Sequence, residues 1–488
     1  MSSAVPASPA SDARRRRPGL ILLALTCAAS SFALMQAVIV PALPIVQRDL
    51  GTSTEWAAWT ISIYLLSASV ATPLLGRLGD QFGKDRMLLV TLAIFTIGSV
   101  ASTFAWSISS LIVFRAVQGI GGAVYPLCFS IIRDETPPAR MGVAMGLISS
   151  MLGLGGGVGL VMSGVIVDHA SWRWLFVVGA LFGLLGMTLV RAFVPASPHR
   201  HQAKLDIPGA LLLSAGLIFI LVGLTEGRSW GWESARLTGT IGAGLLILLV
   251  WGWVETRTAQ PMVDMRMLSR RPVLFTNLAA LFCGFTMYAI FTVLPLFSQM
   301  PRGLPSDAAA LVTYGFGASV TVSALYLLPG AFVMLPAGPF GGVLGRWVGF
   351  RLALAIGLTV TAAGSALLAM FHAEPWQLML GYAIGAGGVA IAFGAMPKLI
   401  ADAVSPTETG IATGMNTVVR TVGSVIGSQV AVTLLASSTI SGTSIPSEAG
   451  FRASLWLGAG AALIAALLAL GISTRRRVAR DMAVTSPG

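Results

Sequence analysis

The chain has 488 residues, of which 55% are hydrophobic and only 10% charged, with a mean hydropathy of +0.82 and a formal net charge of +12. A water-soluble core of this length could not hide so much apolar surface, so the composition excludes a soluble enzyme or binding module and implies an integral membrane protein. The basic balance is spread along membrane-flanking segments rather than gathered in one patch, which argues against nucleic acid as a partner.

In chain order, MSSAVPASPASDA predicts a disordered tail that ends in the basic run Arg14 to Arg17. Apolar runs of about 20 residues, long enough to cross a bilayer, follow one another to the end. There are fourteen, at roughly 18–41, 56–76, 88–106, 108–132, 142–167, 174–194, 207–226, 237–255, 273–297, 314–340, 352–371, 376–400, 410–437 and 451–473. The first runs into PALP without an A-x-A cleavage pattern, so it reads as a retained helix rather than a secretory signal. ALTC at 24–27 is a poor lipoprotein site because Thr26 precedes the cysteine. Cys27, Cys128 and Cys283 all fall in predicted spans and read as small packing residues. AVTSPG at the end predicts a second disordered tail.

Lys and Arg accumulate on the cytoplasmic side of membrane proteins, so charge tests the span count. With the Arg14 to Arg17 run taken as cytoplasmic, the outer loops hold only Arg48, Arg173, Arg228, Arg236, Arg302 and Arg452 of the 31 basic residues. Arg115 and Arg420 lie inside spans, and the rest face the cytoplasm, which places both termini there.

An internal repeat organises the spans. PLLGRLGDQFGKDR at 73–86 recurs as PFGGVLGRWVGFR at 339–351, with Pro73, Gly76, Leu78, Gly79 and Gly83 matched by Pro339, Gly342, Leu344, Gly345 and Gly349. Each copy joins the second and third helix of a six-helix set. The expected division is a tail at 1–17, a six-helix bundle at 18–194, helices 7 and 8 with their loops at 195–272, a second six-helix bundle at 273–473 and a tail at 474–488. Parallel repeats of this kind place a substrate between the halves, near the bilayer midplane.

GRLGDQFGKDRML at 76–88 resembles the signature loop of the major facilitator superfamily, and LIVFRAVQGIGGA at 111–123 resembles its helix 4 motif. GLGGGVGLVMSG at 153–164 and SWRWLF at 171–176 resemble the fourteen-span drug:proton antiporter branch. VPALPIVQRDLG at 40–51, LPLFSQ at 294–299 and MNTVVRTVGSVIG at 415–427 extend the similarity through both halves. The resemblance implies an all-α major facilitator fold of fourteen transmembrane helices (6 + 2 + 6) in the cytoplasmic membrane. It also implies export of drugs, antibiotics or metabolites in exchange for protons.

Three departures bear on coupling. Met35 and Gln36 stand about where that branch often carries an aspartate, Leu160 follows Gly159 where a Gly-Pro pair is usual, and Asp85 replaces a common basic residue. All nineteen Asp and Glu residues fall in loops or at span ends, so Arg115 has no helix 1 acid as partner.

Arg115 and Arg420 admit three readings. Each could tie helices together by donating to backbone carbonyls and to glutamines such as Gln118, or face a wet cavity and attract anionic cargo. Each could instead tune a distant proton acceptor, either Asp134 or Glu135 at the inner end of helix 4, or Asp168 or Glu226 near outer ends. Other polar residues that could line a cavity or tie helices are Gln36, Tyr64, Asn277, Tyr288, Tyr326, Tyr382 and Asn416.

In the signature loop, Gly76 and Gly83 permit a tight turn, and Asp80 is placed to cap a helix N-terminus and to pair with basic groups across the halves. By resemblance, Asp80, Lys84 and Arg86, with Asp134 or Glu135, form a cytoplasmic charge latch that holds the outward-facing state. The alternative is that Lys84 and Arg86 only fix orientation. Arg346 stands in the second copy where the first has its acid, so the latch would be one-sided. Gly153/Gly157, Gly155/Gly159 and Gly423/Gly427 are small-xxx-small pairs that let helices approach closely.

His169, His199, His201 and His372 sit in loops without metal-ligand spacing, and no hydrolase triad or phosphate-binding loop occurs. No catalytic residue, metal or cofactor is therefore expected. The expected protein is a monomeric secondary exporter of amphipathic small molecules, with protons and the lipid bilayer as its other partners. An exporter or exchanger of organic anions or anionic lipids is the alternative within transport, and a non-transporting sensor or scaffold is the alternative outside it.

Overall fold

Fourteen helices long and apolar enough to span a bilayer run through the chain. They are α1 (Pro18–Ala37), α2 (Thr54–Phe82), α3 (Lys84–Thr103), α4 (Ile108–Glu135), α5 (Pro138–His169), α6 (Arg173–Phe193) and α7 (Ile207–Trp230). The others are α8 (Ala235–Arg257), α9 (Arg271–Gln299), α10 (Val320–Val348), α11 (Phe350–Met370), α12 (Pro375–Ala403), α13 (Thr409–Ser437) and α14 (Glu448–Leu470). The computed structural model describes residues 18–197, 206–300, 314–440 and 445–472. The Arg14 to Arg17 run, His199, His201, Arg302 and both tails lie outside the described residues.

The helices exceed the apolar runs wherever polar residues are buried by a neighbour rather than by lipid. α2 continues past residue 76, where the apolar run stops, because Asp80 and Gln81 are buried at 3% and 6% exposure. The signature loop is therefore almost wholly helical, and its only break is Gly83 at φ +109°, in the region that favours glycine. The second copy repeats this geometry: α10 runs on to Val348 and Gly349, at φ +91°, is its only break from α11. α10 also begins at Val320, six residues later than the apolar run at 314. α4 tightens into a 3-10 turn over Ile120–Ala123, where Gly121 packs on Phe95 and Gly122 on Ala68.

α1 to α6 pack around one core, α9 to α12 and α14 around a second, and α13 joins α9 to α12 and α14 in a third that also takes in Ala37 and Leu160. The two sets meet most closely at α5 with α10 and α2 with α13, flanked by α5 with α12 and α4 with α13. A further repeat in the sequence explains the two closest crossings. Pro138, Gly142, Ala144 and Gly146 recur at the same spacing as Pro406, Gly410, Ala412 and Gly414, and Gly155/Gly159 recur as Gly423/Gly427.

A Cβ on Gly76 would lie 2.7 Å from the Gly410 carbonyl oxygen, and a Cβ on Gly342 would collide with the Gly142 backbone. Gly414 meets Thr72 and Pro73 just as Gly146 meets Gly338 and Pro339. The crossings are thus related by a pseudo-two-fold, and only glycine permits backbones this close. Gly153 and Gly157 also face α10, against Met334 and Ala331. Gly155 and Gly159 instead seat α1, and Gly423 and Gly427 seat α9, within their own halves.

α7 lies against α2 and α13, and α8 packs chiefly on α7. The turn after α8 is clipped in place. Asp206 caps α7 through Gly209 N at 2.9 Å and accepts from Met262 N, while Glu255 accepts from Trp251 Nε1 at 2.9 Å and from Val263 N. Arg77 of α2 donates to the Pro261 carbonyl at 3.2 Å, joining this pair to the first half.

Candidate functional site

Between the halves lies a cavity of about 540 Å³, within the range of small-molecule sites. α1, α2, α5, α9, α10 and α13 supply most of its wall, and Leu221, Val222 and Thr225 of α7 complete it. Gln299, the last residue of α9, and Val320, the first of α10, line it, so it reaches the face opposite the Gly83 turn. The lining is mostly apolar and aromatic, with Trp59, Tyr125, Tyr288, Phe291 and Phe393 among its rings. Its polar groups include Gln36, Thr292, Ser428, Gln429 and Arg420. Gln36 Nε2 donates to Tyr288 Oη at 2.5 Å, a bond from one half to the other inside the cavity.

The two intramembrane arginines have different surroundings. Arg115 is fully buried and does not line the cavity. Its Nε donates to Thr60 O at 3.1 Å, its Nη1 to Met35 O at 3.2 Å and to Gln118 Oε1 at 2.5 Å, and the guanidinium lies 4.0 Å over the Tyr64 ring. Gln118 in turn donates to Ser99 Oγ at 2.6 Å, and Tyr64 Oη donates to Phe32 O at 2.9 Å. This polar knot joins α1, α2, α3 and α4. Charge-assisted bonds of this kind contribute about 1.5–3 kcal/mol each. Arg420 is only half-buried, opens on the cavity, and has Phe393 beneath it at 4.7 Å.

Of the sequence-derived candidates, the cavity gathers Gln36, Tyr288, Tyr382 and Arg420. Tyr64, Arg115 and Gln118 are sealed in the knot. Asn416 Nδ2 donates to Asn277 Oδ1 at 2.9 Å, so these two tie α13 to α9 behind the wall. Sequence reasoning passed over Trp59, Tyr125, Phe393 and the α7 residues, whose aromatic or apolar character does not set them apart from lipid-facing neighbours.

At the other face, near the Gly83 turn, the halves are joined by charges set on helix ends. Asp80 Oδ2 accepts from Ile411 N at 3.3 Å, so it caps α13 of the opposite half. Ion pairing of Asp80 across the halves, expected from the sequence, is absent among the described residues. Glycine at 410 lets the α13 backbone itself come within reach of the carboxylate, where an added Cβ would lie 2.9 Å from Oδ2. Lys84 Nζ pairs with Asp134 at 2.7 Å in its own half and reaches Pro406 O at 3.4 Å in the other.

Arg133, which sequence reasoning counted only as a topology charge, donates to Val404 O at 2.8 Å and Ser405 O at 2.9 Å, just past the end of α12. It also reaches Thr409 Oγ1 at 2.5 Å. An acid thus sits on a helix N-terminus and a cation beyond a C-terminus, both favourable to the helix dipole. Arg86 and Arg346 are exposed, and Glu135 is half-buried.

The fold and this two-sided site define a membrane transporter built from paired six-helix bundles. A family model, Major Facilitator Superfamily, matches residues 25–428, and the chain belongs to that superfamily. It is 25% identical over 404 residues to Multidrug resistance protein 3 of Bacillus subtilis (strain 168), covering 82% of this chain and 76% of that one. It is 27% identical over 450 residues to the Tetracenomycin C resistance and export protein of Streptomyces glaucescens, covering 89% and 79%. The crystal structure of the human organic anion transporter MFSD10 (TETRAN) superposes with a TM-score of 0.65 over 93% of this chain and 99% of that one. At 16% identity that likeness concerns the fold alone.

Proposed function

We propose that this chain exports amphipathic small molecules across the cytoplasmic membrane by alternating access, as a monomer with both termini and the Gly83 turn on the cytoplasmic side. Residues 18–194 and 273–473 act as the two rocking halves, and 195–272 as the helices linking them. The observation that carries the reading is the aromatic cavity reaching one face while Asp80, Lys84 and Arg133 bind the halves together at the other. In this state the cargo site faces outward, and Asp80, Lys84 and Asp134 hold the inner face shut. Gly76 and Gly83 shape the helix end that carries the acid.

The resistance and export named for the two bacterial relatives support the same direction of transport. Proton entry, the coupling implied by the family resemblance, would need a carrier outside the cavity, because no carboxylate lines it among the described residues. Asp80 and Glu226 are buried candidates in α2 and α7, helices that contribute Thr72 and Thr225 to the wall.

The test is efflux from liposomes containing the purified chain. At least one flat amphiphile from a panel of anionic, neutral and cationic dyes should leave faster than from protein-free liposomes, and Gly155→Leu, which wedges α5 off α1, should abolish the difference. Equal rates with and without the protein, over a panel of flat amphiphiles, would refute export.

A further inference from the structure

Arg420 is the sole charged side chain among the described residues lining the cavity. Neither a hydrogen bond nor an ion pair among the described residues occupies its guanidinium, which rests on the Phe393 ring. Arginine stays ionised and presents its donors as a planar fork suited to carboxylate or sulfonate. In a mostly apolar cavity such a fork attracts an anion more strongly than it would at a water-exposed surface. Tyr125, Tyr288, Phe291 and Phe393 offer flat apolar walls beside it.

We propose that the cargo is an amphipathic aromatic monoanion seated on Arg420, and that the membrane potential, negative inside, drives its exit. This rests on the export reading above and names that reading's substrate class and driving force. With the anion bound, cargo and Arg420 cancel, so the loaded site reorients with little sensitivity to the field. Once the anion leaves, the cavity carries one uncompensated positive charge, and the field draws that empty site back toward the negative interior. One negative charge departs per cycle, and a single charge is worth about tenfold in distribution for roughly 60 mV. The lone cation and the acid-free wall then belong to one device: no group in the cavity has to carry a proton.

The test uses the full chain in liposomes loaded with 2-naphthalenesulfonate, its uncharged sulfonamide or ethidium. A potential is set by a potassium gradient with valinomycin at equal pH, and separately a pH gradient is applied without a potential. Sulfonate efflux should rise as the interior becomes negative, approach about tenfold outward accumulation for roughly 60 mV, and ignore the pH gradient. Arg420→Gln should lower it tenfold or more, with Arg420→Lys retaining part.

If Arg420→Gln fails to fold, Ser428→Glu, which sets an acid on the same wall, should depress sulfonate efflux by a similar factor. Export of the sulfonamide or ethidium without sulfonate flux would overturn the inference and leave the export reading standing. Sulfonate efflux that follows the pH gradient and ignores the potential would also overturn it. Absence of flux for all three probes would overturn the export reading itself.

Discussion

Replacing Asp80 with asparagine removes a charge while keeping the shape of the side chain. Asp80 is 3% exposed, and its Oδ2 accepts from Ile411 N at 3.3 Å in the first turn of α13. A buried anion on a helix N-terminus is worth about 1–2 kcal/mol, most of which an uncharged amide forfeits. On the proposed alternating-access cycle the halves that carry donor and acceptor part when the Gly83 face opens, so the loss falls on the balance between conformations. A shift of about 1–2 kcal/mol changes that balance roughly 5- to 30-fold. Spin labels at Arg140→Cys and Arg346→Cys, both exposed on this face and in opposite halves, would read it once Cys27, Cys128 and Cys283 are replaced by alanine. Asp80→Asn should insert normally, lose much of the short-distance population and transport poorly. An unchanged distance distribution together with wild-type flux would refute the account.

The pseudo-two-fold predicts that Gly76→Val and Gly342→Val act alike, since each forces apart a glycine crossing at the same face at a cost of about 1–3 kcal/mol. The same pair of labels should report opening in both, and opening in only one would break the equivalence. Lys84→Met alone strands Asp134 in a pair exposed only 3% and 7%, at a cost of about 3–5 kcal/mol. Lys84→Met with Asp134→Leu should recover most of the lost melting temperature, and a double variant no better than the single one would contradict this. Arg115→Met should lower thermal stability by unbinding the Thr60 and Met35 carbonyls, yet leave the ranking of transported compounds unchanged. Arg420→Gln should do the reverse, and matching effects at the two arginines would remove the distinction drawn between them.

The span count was legible because lipid contact demands long apolar runs, and the fourteen runs correspond to fourteen helices. The helix ends were not, because GRLGDQ owes its helical state to burial against the other half, which local hydropathy does not register. The Arg115 to Gln118 bond lies within reach of sequence reasoning, since residues three apart share a helix face. Arg133 was hidden by the rule that accounted for it, as a cation near a span end already satisfies topology without a partner. The second glycine repeat was visible in principle, but it lies inside apolar spans, where small residues are common. The separation of Arg420 from Arg115 needed three dimensions: the two sit in similar apolar contexts, and only packing decides which one meets the cavity.

Leu221, Val222 and Thr225 give the cavity a wall from a helix that belongs to neither bundle, lies against α2 and α13, and is tied to the first half by the Arg77 bond to Pro261 beyond α8. On the proposed cycle, substitutions at these three positions redraw which molecules are accepted and leave the Asp80, Lys84 and Arg133 contacts between the halves in place. Such a partition lets a lineage shift its spectrum of cargo by point changes in α7, with no need to rebuild the hinge.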